Sequence, residues 1–184
     1  MPQRDREFYA ELVGSHAAEL YRYAYRLCGS RETAEDLVQE TFCEAWRSLA
    51  DLRDKQSVRG WLFQILRYRH AHFVRENRRK QPVFSSLSEE QIPLVANEDP
   101  LESLARRELL QQAIDRLKDH YKEPFLMVFL QGLTCEETSR ELDLPLGTVL
   151  SRVHRARKLL RGHLRRLNPD AVAVGNELMP EPNS

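Results

Sequence analysis

The sequence predicts an all-α fold of two small helical domains, an N-terminal helical bundle and a C-terminal helix-turn-helix domain, joined by a flexible linker. Three observations carry that prediction. Apolar residues recur at three- and four-residue steps on either side of the middle of the chain. Only 7 glycines accompany 30% charged and 41% hydrophobic residues, a balance that suits helices better than a barrel or sandwich. The periodicity lapses over 81–100, QPVFSSLSEEQIPLVANEDP, where three prolines and clustered serines and acids read as a linker. The expected domains are therefore 1–80 and 101–167, with the linker 81–100 between them and a disordered polar tail over 168–184.

Each element has its own signal. A first helix is expected from about Asp5 to Cys28, stopped by Gly29. Ser30 is the expected N-cap of a second, whose apolar set Ala34, Leu37, Val38, Phe42, Ala45, Trp46 and Leu49 carries it to about Leu49. A third runs from Val58 to about Arg79 on Trp61, Leu62, Ile65, Leu66 and Phe73. In the second domain a helix on Leu104, Ala105, Leu110, Ala113, Ile114 and Leu117 begins near Leu101. Pro124 is expected in the first turn of the next helix and Gly132 beyond its end. Thr134 and Glu137 form a capping box that opens a short helix to about Leu142, LDLP breaks it, and a last helix spans Leu146 to Leu167. Its inner side is expected to hold Leu146, Val149, Val153, Ala156, Leu160, Leu164 and Leu167.

Charge points to partners. Lys and Arg number 28 and Asp and Glu 28, but the signs are segregated. Between Arg59 and Lys80 seven basic residues meet only Glu76, and between Gly147 and Leu167 seven more meet no acid. Two basic blocks separated by acidic stretches suggest two contacts with one polyanion. Thr148, Ser151, Arg152 and Arg155 are spaced to share one face near the start of the last helix, where Arg can bond guanine, while Arg157, Lys158 and Arg161 can hold the phosphate backbone. The plain alternative is a solvated basic helix. In the third helix Gln64, Tyr68, His72, Arg75 and Arg79 share a face on which single-strand bases could stack, or which simply rims the bundle.

Other classes find little support. Cys28, Cys43 and Cys135 lack C-x-x-C spacing, and His70 and His72 have no Cys or carboxylate at ligand distance, so neither a metal nor another cofactor is expected. There is no P-loop, no G-x-S-x-G and no clustered carboxylate site, so no catalytic residue is assigned and an enzyme is not expected. MPQRDREFY has no apolar leader segment and no stretch approaches eighteen apolar residues, so a cytoplasmic protein without direct membrane insertion is expected.

AEDLVQETFCEAWRSL, RGWLFQILRYRHAHFVRENRRK and TCEETSRELDLPLGTVLSRVHRARKLL, in that order, resemble the landmarks of bacterial extracytoplasmic-function sigma factors over about residues 5–167. The resemblance implies a transcription initiation factor that binds core RNA polymerase, reads the minus-35 element of promoter DNA as duplex and the minus-10 element as opened strand, and is masked by an anti-sigma factor, often membrane-anchored. It implies polymerase binding by Asp36, Gln39 and Glu40. It implies minus-10 contacts from the loop Lys55, Gln56, Ser57 and Val58 and the helix bearing Gln64, Tyr68, Arg69, His72, Arg75 and Arg79. Thr148, Ser151, Arg152 and Arg155 match the minus-35 reader, with Arg157 and Lys158 beside them. The chain departs from the family pattern at Tyr68, where Asn is frequent, at Leu150, where Lys or Arg is frequent, at Asp143, usually Gly, and at Thr138 and Ser139, usually Ile and Ala. A stand-alone helix-turn-helix regulator is the alternative reading, sharing the reader but needing no polymerase.

Overall fold

The computed structural model describes residues 3–52, 57–80 and 100–167, and their side chains over 5–50, 52, 57–77 and 107–167. Among them are seven α-helices, one 3-10 turn and no strand. The chain divides into two compact units, Met1–Glu89 and Glu90–Ser184. The proposed linker and tail fall almost wholly outside the described residues, as do Lys55, Gln56 and the side chain of Arg79.

The first unit is a three-helix bundle of α1 (Gln3–Cys28), α2 (Arg31–Arg47) and α3 (Val58–Lys80). Gly29, at φ 72, ends α1 as expected, because a left-handed backbone suits a residue without Cβ. Ser30 caps α2 by accepting from the Thr33 N–H. That helix closes at Arg47, not Leu49: the Ser48 N–H and hydroxyl both return to the Glu44 carbonyl, and Leu49–Asp51 tighten into the 3-10 turn.

Leu20, Tyr23 and Ala24 of α1, Ala34 and Leu37 of α2, and Leu62 and Leu66 of α3 form the buried centre. Phe63 joins them, edge-on to Tyr23 at 5.2 Å. The stripe expected on α3 is therefore rotated toward Val58, Phe63 and Leu66, and Trp61, Ile65 and Phe73 are only half-buried. Two ion pairs join α3 to its neighbours: Arg59 donates to Glu19 of α1 at 2.8 Å, and Arg69 donates to Glu44 of α2.

The second unit holds α4 (Pro100–Asp115), α5 (Asp119–Phe129), α6 (Cys135–Leu142) and α7 (Leu146–Leu167), with α7 packed against all three others. Pro124 is not in the first turn of α5 but is its sixth residue, because the helix already starts at Asp119 from an extended Lys118. Its missing N–H leaves the carbonyl of His120 without a helical donor, but that residue is exposed, and Pro124 is buried beside Phe125, Leu126 and Met127. Gly132, at φ 75, then reverses the chain, and the Leu133 N–H returns to the Met127 carbonyl at 3.1 Å.

The helix-turn-helix is built by local chemistry. The Thr134 hydroxyl accepts from the Glu137 N–H at 3.1 Å while the Glu137 carboxylate accepts from the Thr134 N–H at 2.8 Å, a complete capping box. Asp143 takes the left-handed conformation at φ 50, ψ 50, which Asp tolerates better than most side chains. Ser139 donates to the Leu144 carbonyl, so that polar departure is absorbed by the turn, whereas Thr138 is buried with its hydroxyl oxygen lacking a hydrogen-bond partner. The Pro145 carbonyl accepts from Thr148 and Val149 to open α7. On the core side of α7 lie Val149, Val153, Ala156, Leu160 and Leu164, whereas Leu146 is 38% exposed and Leu167 half-buried.

The capping box yields a test. Hydrogen bonds from the Thr134 backbone and hydroxyl hold the Glu137 carboxyl below its ordinary value of 4.5. The unfolded chain therefore takes up this proton first, so the stabilisation is complete above pH 4.5 and is lost as pH falls through the lower folded value. Thr134→Ala should lower the stability of the second unit by about 1 kcal/mol in denaturant titrations at neutral pH. Glu137→Gln should flatten the fall in stability seen when the denaturant titrations are repeated at pH values from neutral down into the acid range.

Candidate nucleic-acid and partner surfaces

On α2, burial of Ala34, Leu37, Thr41 and Ala45 turns the opposite side to solvent, and Asp36, Gln39 and Glu40 are all exposed there. The row continues at four-residue steps through Asp36, Glu40 and Glu44. Glu44 is different from the other two because it is spent internally on Arg69, with Arg47 3.7 Å from the same carboxylate oxygen. With Glu32, four residues before Asp36 and also exposed, the acidic row open to a basic partner comprises Glu32, Asp36 and Glu40, with Gln39 beside them.

On α3 the sequence reading names side chains that the structure separates. Gln64, Tyr68, His72 and Arg75 are exposed along one side, with the Tyr68 ring 63% exposed. An aromatic ring this open, flanked by an imidazole and a guanidinium, is able to stack on an unpaired base while the cations approach its phosphates. Arg75 also donates to the Ala71 carbonyl at 3.1 Å, and His72 lies 3.8 Å from Glu76, the one acid on this side. Arg69 is held against Glu44 away from this row, and Val58 is buried as the anchor of the first turn while Ser57 is exposed beside it.

On α7 the exposed residues include Leu150, Ser151, His154, Arg155, Lys158 and Leu159. Thr148 and Arg152, expected with Ser151 and Arg155, are half-buried at the edge of that surface. Arg157 is 7% exposed, its guanidinium carbon 5.9 Å from the centroid of the Phe129 ring, so it belongs to the packing of α7 on α5 and not to the open surface. His154 was missed as a member of the surface. The available signal was phase: residues opposite Val149, Val153, Ala156 and Leu160 on a 3.6-residue helix fall at 151, 154 and 158.

Burial, reinforced by Arg116 and Arg166, pushes the His163 imidazole below its ordinary value and so disfavours its charged form. No acid stands on α7, and its exposed cations therefore act together. The helix enters this arrangement at a fixed angle because Asp143, Pro145 and the capping box define the turn before it.

Among the described residues no group of three or more His, Cys, Asp or Glu is placed to hold a metal ion, and no helix is long and apolar enough to cross a membrane. Cys28, Cys43 and Cys135 are free thiols.

Comparison with known proteins matches the first unit to Sigma-70 region 2 over residues 12–80 and the second to Sigma-70 region 4 over residues 107–160. The chain is 35% identical over 158 residues to the ECF RNA polymerase sigma factor SigE of Mycolicibacterium smegmatis, covering 84% of this chain and 60% of that relative. It is 31% identical over 160 residues to the ECF RNA polymerase sigma factor SigL of Mycobacterium tuberculosis, covering 85% and 88%. It is 27% identical over 175 residues to SigW of Bacillus subtilis, covering 89% and 92%. Among solved structures it is similar to the sigma factor RpoE of Bartonella quintana in complex with the anti-sigma factor NepR, with TM-score 0.69, 27% identity, and coverage of 87% of this chain and 98% of that one.

The two classes of arginine on α3 can be told apart. Arg69→Ala should lower the stability of the first unit, by up to about 1 kcal/mol for a partly exposed pair. Arg75→Ala should stay within about 0.5 kcal/mol, as for an open surface side chain. Chemical unfolding of the two variants side by side checks this, and equal losses would return Arg69 to the open surface.

Proposed function

This chain belongs to the extracytoplasmic-function family of RNA polymerase sigma factors, and on that premise we propose how its surfaces divide the work of directing polymerase to promoters. The exposed side of α2, with Asp36, Gln39 and Glu40, docks on a basic surface of core polymerase. The loop before α3, with Lys55, Gln56 and Ser57, captures the minus-10 element together with Gln64, Tyr68, His72, Arg75 and Arg79. The start of α7 enters the major groove of the minus-35 element, with Ser151 and Arg155 facing the base edges, Thr148 and Arg152 at the rim, and Lys158 on phosphate.

The observation that carries this reading is the presence of both sigma regions on one chain, each offering an exposed surface of the charge its target requires. A stand-alone regulator would need only the second. The chemistry follows from the surfaces: all of these contacts are non-covalent, and the factor contributes binding energy and strand capture while polymerase makes the bonds. Its place of action is the cytoplasm, where polymerase and promoter are.

The related RpoE structure contains the anti-sigma factor NepR. By the same logic an anti-sigma protein covers these surfaces in this chain until a signal releases them, and a membrane-anchored partner would bring the factor to the membrane without insertion of its own.

With purified core polymerase, the chain should direct initiation from a limited set of promoters in a reconstituted transcription assay. Reversing charge at Asp36 and Glu40 should weaken polymerase association without changing the unfolding transition; unchanged association would sink the docking assignment. Arg155→Ala should cost about 1–3 kcal/mol at the upstream element and relax its sequence preference. A uniform loss across all sequences would instead make Arg155 a phosphate contact.

A further inference from the structure

Leu150 sits on the exposed side of α7, 45% exposed, among Ser151, His154, Arg155 and Lys158. Nothing in the fold accounts for a leucine there. The buried cluster formed by Cys135, Val149 and Val153 is completed by Val128, Phe129 and Leu144, without Leu150. One turn earlier Leu146 is 38% exposed, so the two leucines form an apolar strip spanning about 6 Å at 1.5 Å rise per residue. The strip lies at the N-terminal turns of the helix, the end that enters the groove in helix-turn-helix docking.

Within the major groove only thymine offers an apolar group, its 5-methyl, whereas guanine, cytosine and adenine present donors or acceptors alone. A leucine facing those edges would leave them without a hydrogen-bond partner, and a leucine facing a methyl buries both. We infer that Leu150, with Leu146 beside it, is a specificity-determining residue that selects thymine in the upstream duplex through its 5-methyl group. This rests on α7 being the duplex reader, as proposed above. Ser151 and Arg155, further round the exposed arc of the helix, then supply the polar part of recognition, and Leu150, at one margin of that arc, supplies the apolar part.

Replacing thymine by uracil removes that methyl and nothing else. Holoenzyme assembled from the full chain and core polymerase would first be used to select promoters from a random duplex library, and the thymines of the upstream element then exchanged for uracil one at a time. At one or two positions the exchange should weaken binding about fourfold, the equivalent of ~0.8 kcal/mol for one buried methyl-sized group. Leu150→Met should keep that discrimination, and Leu150→Ala should lose it while retaining the wild-type unfolding transition and polymerase affinity. Leu150→Lys should shift selection at the same position from thymine to guanine.

If no exchange matters in the wild-type holoenzyme, or if the sensitivity survives in Leu150→Ala, the inference is overturned while the reader assignment stands. If scrambling the whole upstream element leaves binding unchanged, the reader assignment itself fails and the inference with it. A loss of polymerase affinity in Leu150→Ala without loss of uracil discrimination would make the strip a polymerase contact and overturn the proposal as well.

Discussion

Val149, Val153, Ala156, Leu160 and Leu164 have to leave water together, and that single requirement fixes the rotation of α7 about its axis. Everything that α7 offers a ligand follows from it. Five apolar side chains at three- and four-residue steps define one inner line, so the outer line is determined before any functional residue is considered. Arg157 falls just inside the margin and is drawn over the Phe129 ring, while Lys158, its neighbour in sequence, falls outside and remains open. Two consecutive cations thus acquire different roles from a difference of 100° in phase. The same logic on α2 and α3 leaves Asp36 and Glu40 on one outer side and Tyr68 and His72 on another.

Formal charge is a poor guide to the charge these surfaces present. The equal totals of 28 basic and 28 acidic residues conceal pairs that are consumed in holding the bundle together, Arg59 with Glu19 and Arg69 with Glu44. Half-buried pairs of this kind contribute modestly to stability, but each removes a cation from the field a nucleic acid would meet. On α7 there is no such internal consumption by an acid of the same helix. The cations of α7 are therefore less offset by acids of their own helix than those of α3 are by the acids they pair with.

Much of the fold was legible in the sequence because its punctuation is local. Gly29, Ser30, Gly132 and the Thr134–Glu137 box act over three or four residues, and each fixes the end of a helix without reference to distant parts of the chain. Pro124 was misread because its tolerance depends on what happens six residues earlier, where Lys118 turns the chain into the helix. Phe63 was missed for a different reason: its burial is decided by Tyr23, on another helix, and no window along α3 contains that information. Site residues divide the same way. Exposure of Asp36, Gln39 and Glu40 follows from the pattern of α2 alone, whereas the withdrawal of Arg69 from the surface of α3 depends on Glu44 across a helix interface.

The departures from the family pattern can be sorted by what the structure does with them. Asp143 preserves the backbone conformation that glycine would take, Ser139 is absorbed into the hydrogen bonding of the turn, and Thr138 is packed inside with its hydroxyl unpaired. These three changes leave the geometry of the reader intact, so they are silent with respect to sequence preference. Leu150 and Tyr68 are the opposite case, since both side chains are exposed and so are open to contact by something outside the chain. Specificity in this factor is accordingly expected to reside in the side chains the fold does not need, and the frame that presents them is free to stay the same.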